Sequence, residues 1–217
     1  MYDLHTHSIF SDGELIPAEL IQRAKVAGYR AVAITDHVDQ TNIDPVLKNL
    51  SKGIEKMRPH LDIEVIIGVE ITHVPPPLIK DLIIHAREIG AQIVVVHGET
   101  LVEPVPKGTN LAALRGRADI LAHPGIISNT EAEIAAQNGV LLEITTRKGH
   151  CLSNGHVAKM AKKYNAALIM NNDAHAPEDL IPVEKRKLIA MGAGLSEQAY
   201  YIMEQNAEKL VRKILDK

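Results

Sequence analysis

The sequence predicts an α/β fold built on a parallel sheet. Three observations carry that expectation. Short apolar runs alternate with helical patterns seven times along the 217 residues. Several runs are almost unbroken in Val, Ile, Leu and Ala, as in strands buried on both faces. A hydrophobic share of 46% is enough for one full core, so a single domain over 1–217 is expected. Such alternation gives right-handed βαβ units and either a closed barrel or an open doubly wound sheet.

The elements follow in order. Tyr2–His7 reads as the first strand. The next helix, Pro17–Ala27, has proline in its first turn. It carries Leu20, Ile21, Ala24 and Ala27 on one face and ends at Gly28. Arg30–Thr35 is the second strand and Asp44–Met57 a helix. Ile63–Thr72 is the third strand. The Pro75-Pro76-Pro77 run after it is a rigid loop leading into a helix over Pro77–Ile89, which stops at Gly90. Ala91–His97 and Ala118–His123 are the fourth and fifth strands, with a short helix over Asn110–Gly116 between them. A helix over Thr130–Asn138 leads to strand six, Gly139–Thr145, and one over Asn154–Tyr164 leads to strand seven, Ala166–Asn171. Helices over Leu180–Met191 and Ser196–Leu215 finish the chain. In the last, Ser196 is the N-cap, and Ala199, Ile202, Met203, Leu210 and Ile214 form the apolar face.

Composition narrows the function. One cysteine, Cys151, rules out an intrachain disulfide and thiolate metal clusters and suits a cytoplasmic setting. No run of about 18 apolar residues predicts a membrane span, and Met1–His5 lacks the features of a signal peptide. A net charge of -3, one Phe and no Trp argue against a nucleic-acid partner. Nothing in the sequence speaks to oligomeric state.

Eleven histidines stand out. Each predicted strand delivers an ionisable group at its C-terminal end, where parallel barrels build active sites: His5 and His7, Asp36 and His37, Glu70, His97, His123, Glu143, and Asp173 and His175. Residues two apart on a strand share a face, so His5 pairs with His7 and Asp173 with His175. Imidazole and carboxylate together suit Zn, Mn or Fe. One buried histidine is ordinarily a hydrogen-bonded core residue. Seven such strand ends at once demand a common ligand, because each unpaired buried group costs about 1–3 kcal/mol.

At these residues the sequence resembles the PHP (polymerase and histidinol phosphatase) family. His5-Thr6-His7-Ser8 with Ser11-Asp12-Gly13 is similar to its first motif and Thr35-Asp36-His37 to its second. Gly68-Val69-Glu70, His97, Ala122-His123-Pro124 and Asn172-Asp173-Ala174-His175 are similar to the rest, in order. The resemblance implies a distorted (β/α)7 TIM-like barrel and three divalent ions. It implies one ion on His5, His7, Glu70 and Asp173, a second on Asp12, His37 and His175, and a third on Glu70, His97 and His123. Two departures are Val96-His97-Gly98, where many relatives carry a serine two residues before the histidine, and Asn171-Asn172, where the last motif is usually serine-rich. Neither removes a ligand.

Three divalent ions against three carboxylates leave a centre of about +3, which favours a phosphate ester and a metal-activated hydroxide attacking phosphorus. The expected activity is a phosphatase acting on a small metabolite such as histidinol phosphate, a nucleotide or a sugar phosphate. The alternatives are a phosphodiesterase or 3′-exonuclease and a non-catalytic metal-binding domain. Asp173 and His175 are the candidate proton carriers. Arg147, Lys148 and His150, after strand six, are the candidate phosphate contacts. Lys107, Thr109 and Asn110 are expected at the rim, with Glu99 facing the substrate. Asp3 is expected to orient a ligand, Asp36 to act behind the ligands, and Glu143 to act there or on substrate. His60, His73 and His85 read as surface or helix residues.

Overall fold

In the computed structural model, which describes residues 1–216, the strands are β1 (Tyr2–Thr6), β2 (Ala31–Ile34), β3 (His37–Val38), β4 (Glu64–Ile71), β5 (Ile93–His97), β6 (Ile120–Ala122), β7 (Leu141–Thr145) and β8 (Leu168–Asn171). The helices are α1 (Pro17–Val26), α2 (Ile43–Met57), α3 (Pro76–Glu88), α4 (Thr109–Gly116), α5 (Asn129–Asn138), α6 (Asn154–Tyr164), α7 (Val183–Gly192) and α8 (Glu197–Leu215). All strand pairs are parallel, in the order β1-β2-β4-β5-β6-β7-β8. The sheet is an almost closed, seven-stranded TIM-like barrel, as the resemblance implies.

Closure at β8–β1 uses few ladder bonds. Thr6 bridges Ala174, and His7 N donates to Ala174 O at 2.8 Å. Below that bridge side chains close the seam. Asn171 Oδ1 accepts from Leu4 N at 2.9 Å, and Asp3 Oδ1 accepts from Asn172 N at 3.0 Å. Asp3 therefore holds the seam and makes no hydrogen bond to a candidate ligand, contrary to the expectation. The cause is an irregularity in β1 between Asp3 and Thr6 that changes which residues face inward.

Alternation along the strands builds two layers. Leu4, Ala31, Ala33, Ile66, Ile93, Val95, Ile120, Ala122 and Ile169 fill the barrel. Ala207, Val211 and Ile214 of α8 plug its lower end. The outward set, including Val32, Ile34, Val69, Val94, Val96, Leu142 and Ile144, packs under the surrounding helices. Each such buried aliphatic side chain contributes about 1.5–3 kcal/mol. At the upper end the inward positions turn polar: His97, Glu143 and Asn171 follow Val95, Leu141 and Ile169 two steps earlier on their strands, and Glu70 follows Gly68.

Many element ends differ from the sequence reading by one to three residues, and the Pro75-Pro76-Pro77 run is not all loop because Pro76 and Pro77 begin α3. Three of the differences have a plain cause. The second strand breaks at Thr35–Asp36, and His37–Val38 resumes as β3 against Glu70–Ile71. Asp36 is diverted there to hold Ser8 and Ser11. Gly139 belongs to the end of α5, with φ 69, so β7 begins two residues later. α7 starts at Val183 because Pro182 lacks an N–H and takes the N-cap position. Ser196 caps α8 as expected, its hydroxyl accepting from Ala199 N. No helix is long and apolar enough to cross a membrane among the described residues.

Candidate metal centre

Every one of the nine sequence-selected ligands comes to the upper mouth of the barrel. His5 and His7 rise from β1, and Glu70 stands at the centre on β4. His97 ends β5, while His123, Asp173 and His175 follow β6 and β8. His7, Asp12, His37 and His175 can each offer one atom within 4.8 Å of the others. The same holds for His5, His7 and Glu70, for His5, His123 and Asp173, and for Glu70, His97 and His123. His5, His7, Glu70, His97, His123 and Asp173 are buried, and Asp12 is exposed at the rim.

The loops that carry these ligands are tightly specified. Asp36 accepts from Ser8 N, Ser8 Oγ and Ser11 Oγ at 2.7, 2.7 and 2.8 Å, which fixes the turn bearing Asp12. Gly13 closes that turn, and a Cβ there would lie 2.3 Å from His7 O. His123 and Asp173 occupy left-handed backbone, with φ 26 and 55. Non-glycine residues held there cost about 1–3 kcal/mol, and such strain concentrates at functional sites. It aims both side chains at the cluster instead of along the strand.

A second set of partners fixes the ring tautomers. His5 Nδ1 donates to Glu143 Oε1 at 2.9 Å, and His97 Nδ1 to Gly98 O at 3.1 Å. His175 Nδ1 donates to Asp173 O at 3.0 Å. Thr72 Oγ1 donates to Glu70 O and therefore accepts from His37 Nδ1 at 2.6 Å. In all four rings Nε2 is the nitrogen left facing the carboxylates, where a metal ion can take the place of a proton. Glu143 also accepts from Asn171 Nδ2 and His123 N, so it orients ligands rather than substrate.

The fit to cations rests on unsatisfied atoms. His5 Nε2, both His7 ring nitrogens, both Glu70 oxygens and His123 Nδ1 are buried without a hydrogen bond. Glu70 Oε2 lies 3.2, 3.4 and 2.8 Å from ring nitrogens of His5, His7 and His37, but not at hydrogen-bonding angles. Asp173 Oδ1 is 3.2 Å from His7 Nε2, and its Oδ2 is 3.5 Å from His123 Nε2. Buried orphans of this kind cost about 1–3 kcal/mol each. A mixed imidazole and carboxylate cluster offers cations what those atoms lack.

Protein groups alone perturb the titration strongly. Burial pushes the Asp173 carboxyl up to about 7. Burial would depress His37, but Glu70 outweighs it and raises the ring to about 9. Burial drives His7 and His123 well below the usual histidine range. Burial opposes ionisation of Glu70, yet His5 and His37 outweigh it and hold the carboxyl well below its ordinary value.

The substrate-side residues divide. Arg147 Nη1 donates to Asp179 Oδ2 at 3.0 Å, and the same oxygen accepts from His175 N and Ala176 N. Lys148 is exposed. His150 is buried beside the cluster, its ring centre 4.2 Å from that of His123 and its Nδ1 2.9 Å from Thr100 Oγ1. Glu99 turns away from the mouth, accepting from Gly108 N and Asn110 N, while Thr109 and Asn110 are buried at the start of α4. One carboxylate escaped the sequence reading. Glu103 lies 3.0 Å from His97 Nε2, 3.2 Å from His73 Nε2 and 3.3 Å from His150 Nε2. The hydrogen bond to His97 holds its carboxyl at about 2. Neither Glu103 nor His73 ends a strand with the periodicity that marked the nine candidate ligands.

The PHP domain model matches residues 3–168. This chain belongs to the PHP family. The matched segment contains seven of the nine candidate ligands, and Asp173 and His175 follow it. An uncharacterized protein of Methanocaldococcus jannaschii is 48% identical over 199 residues, covering 91% of each chain. The ribonuclease P protein component 3 of Methanosarcina barkeri is 27% identical over 90% of this chain and 82% of its own. A probable phosphatase of Shewanella pealeana is 29% identical over 100% of this chain and 88% of its own. Among solved structures, a chain of archaeal ribonuclease P with mature tRNA shares the fold at TM-score 0.75 and 16% identity, over 99% of this chain and 91% of that one. Histidinol phosphate phosphatase from Lactococcus lactis, complexed with Zn, L-histidinol and phosphate, does so at 0.61 and 16%, over 90% and 94%.

Proposed function

We propose that this chain is a metal-dependent phosphatase of a small phosphorylated metabolite. The observation that carries the reading is the convergence of nine imidazoles and carboxylates at the barrel mouth, with buried polar atoms of His5, His7, Glu70 and His123 unsatisfied. His5, His7, Glu70 and Asp173 would hold one divalent ion, Asp12, His37 and His175 a second, and Glu70, His97 and His123 a third. Zn, Mn and Fe all suit this donor set. Bound ions supply Lewis acidity, a lowered water pKa and charge to meet a phosphate dianion. Membership of the PHP family and the likeness to a probable phosphatase support the reaction class.

The chain's own residues then have distinct tasks. Asp173 is buried between His7 and His123, where its carboxylate can accept a proton from an attacking water at Oδ2. His175 keeps its Nδ1 proton on Asp173 O and presents Nε2 to Asp12 at 3.2 Å. His150 is the buried imidazole outside the nine that stands nearest His123, and its Nε2 can donate to a phosphate oxygen. Arg147 acts on the substrate with the donors that Asp179 leaves free, and Lys148 adds charge at the rim.

A second reading, action on RNA at the same barrel mouth, is supported by the likeness to ribonuclease P protein component 3 over nine-tenths of the chain. Protein loaded in turn with Zn, Mn and Fe would be assayed for phosphate release from a panel of monoesters and for cleavage of a fluorescent single-stranded oligonucleotide. The proposal predicts phosphate release and an intact oligonucleotide. The reverse result would assign the centre to nucleic acid.

A further inference from the structure

Glu103 has no counterpart in the nine-ligand scheme, yet it touches that scheme directly. It sits on the loop between β5 and α4, and Val102 beside it packs within 3.3 Å of where a Gly149 side chain would begin. Its carboxylate is wedged between two loops. Oε2 lies 3.0 Å from His97 Nε2 and 3.2 Å from His73 Nε2, and Oε1 lies 3.3 Å from His150 Nε2.

The ring of His97 decides what this contact means. Its Nδ1 proton is committed to Gly98 O, so in the neutral ring Nε2 presents a lone pair. Glu103 Oε2 presents another. Atoms that close are held together either by a proton on His97 Nε2, which Glu103 accepts when no ion is bound, or by a metal ion in the place of that proton. His97 belongs both to the group with Glu70 and His123 and to the group with His73 and Glu103. The two groups therefore meet at one imidazole. Glu70, His97 and His123 alone give three protein donors, and a fourth fills a tetrahedral shell. Glu70 is wholly buried, whereas Glu103 is 39% exposed on the solvent side of the cluster. It is thus the donor that an incoming anion can replace.

We propose that Glu103 is the fourth protein ligand of the third ion, steadied by His73 and His150, and that a substrate phosphate oxygen displaces it on binding. This rests on the three-ion reading above. Displacement exchanges one anionic oxygen for another at the same ion, with no bond made or broken in the protein.

The test is stepwise metal binding, followed by calorimetry and ICP-MS on the full chain. Wild type, Glu103→Ala and Glu103→Gln would be titrated with Zn, with and without saturating inorganic phosphate. The expected result is unchanged affinity for the first two ions and a loss of at least about tenfold for the third in both variants. Phosphate should bring the variants back to wild type, because it fills the position Glu103 vacates. A wild type with three ions and variants with equal third-ion affinity would overturn the Glu103 assignment while the metal centre stands. A third-ion loss that phosphate does not restore would overturn the displacement. A wild type that takes up no third ion would overturn both this assignment and the three-ion reading.

Discussion

Replacing Glu143 with Gln tests how far the ligands depend on the groups behind them. Glu143 is wholly buried and accepts three hydrogen bonds: from His5 Nδ1 and Asn171 Nδ2 at Oε1, at 2.9 and 2.8 Å, and from His123 N at Oε2, at 3.1 Å. Glutamine keeps the shape but has one acceptor oxygen. In its better orientation the amide NH2 faces His123 N, so one buried donor meets another donor. That leaves one group unpaired at about 1–3 kcal/mol. For a chain of this size the loss lowers Tm by about 2–4 °C per kcal/mol. His5 also loses the charge that raises its basicity and fixes its tautomer, which predicts a fall in metal affinity of about 10–100-fold. Scanning calorimetry and chelator competition on the same preparations measure the two effects. A variant with wild-type Tm and wild-type metal affinity would refute the reasoning, because it would mean that Glu143 neither supports nor orients the centre.

Other predictions follow from single contacts. Asp36→Ala removes the acceptor that holds Ser8 and Ser11, so it should cost about one ion per chain by ICP-MS while circular dichroism is unchanged. Asp3 is buried and its carboxyl is pushed from 3.8 up to about 6, so the folded chain keeps a proton that the unfolded chain releases. The stability gained from that proton is complete below pH 3.8 and is lost as pH rises through about 6. The loss is about 3 kcal/mol, and urea titrations of Asp3→Asn against wild type should show this contribution to the pH slope removed. Arg147→Ala should lower kcat/KM for a phosphate monoester about tenfold, as expected for one charge-assisted contact, with metal content intact.

The sequence disclosed a parallel α/β sheet because its strands are buried on both faces and its helices are punctuated by Gly28 and Gly90. The closed barrel came with the family resemblance, and Gly139, read as the start of a strand, ends α5. The sequence pointed to the nine candidate ligands because so many histidines and carboxylates end apolar strands together, although Glu143 and Asn171 show that an inward polar strand end can also serve hydrogen bonding alone. What it hid were contacts that depend on irregular backbone. The shift within β1 moved Asp3 into the seam with Asn172. The break before His37 created a strand of two residues. Positive φ at His123 and Asp173 reversed the simple rule of alternation. Glu103 and His73 lie on loops, where spacing carries no directional information, and only the folded chain brings them to His97.

The proposed function turns on a cluster of divalent ions held at the nine residues. The most direct measurement is ICP-MS of wild type and Asp173→Ala, paired with phosphate release by the same samples. About three ions per wild-type chain are expected, with a lower count in the variant and no phosphate release from it. Full metal content or undiminished phosphate release in Asp173→Ala would contradict the proposed function.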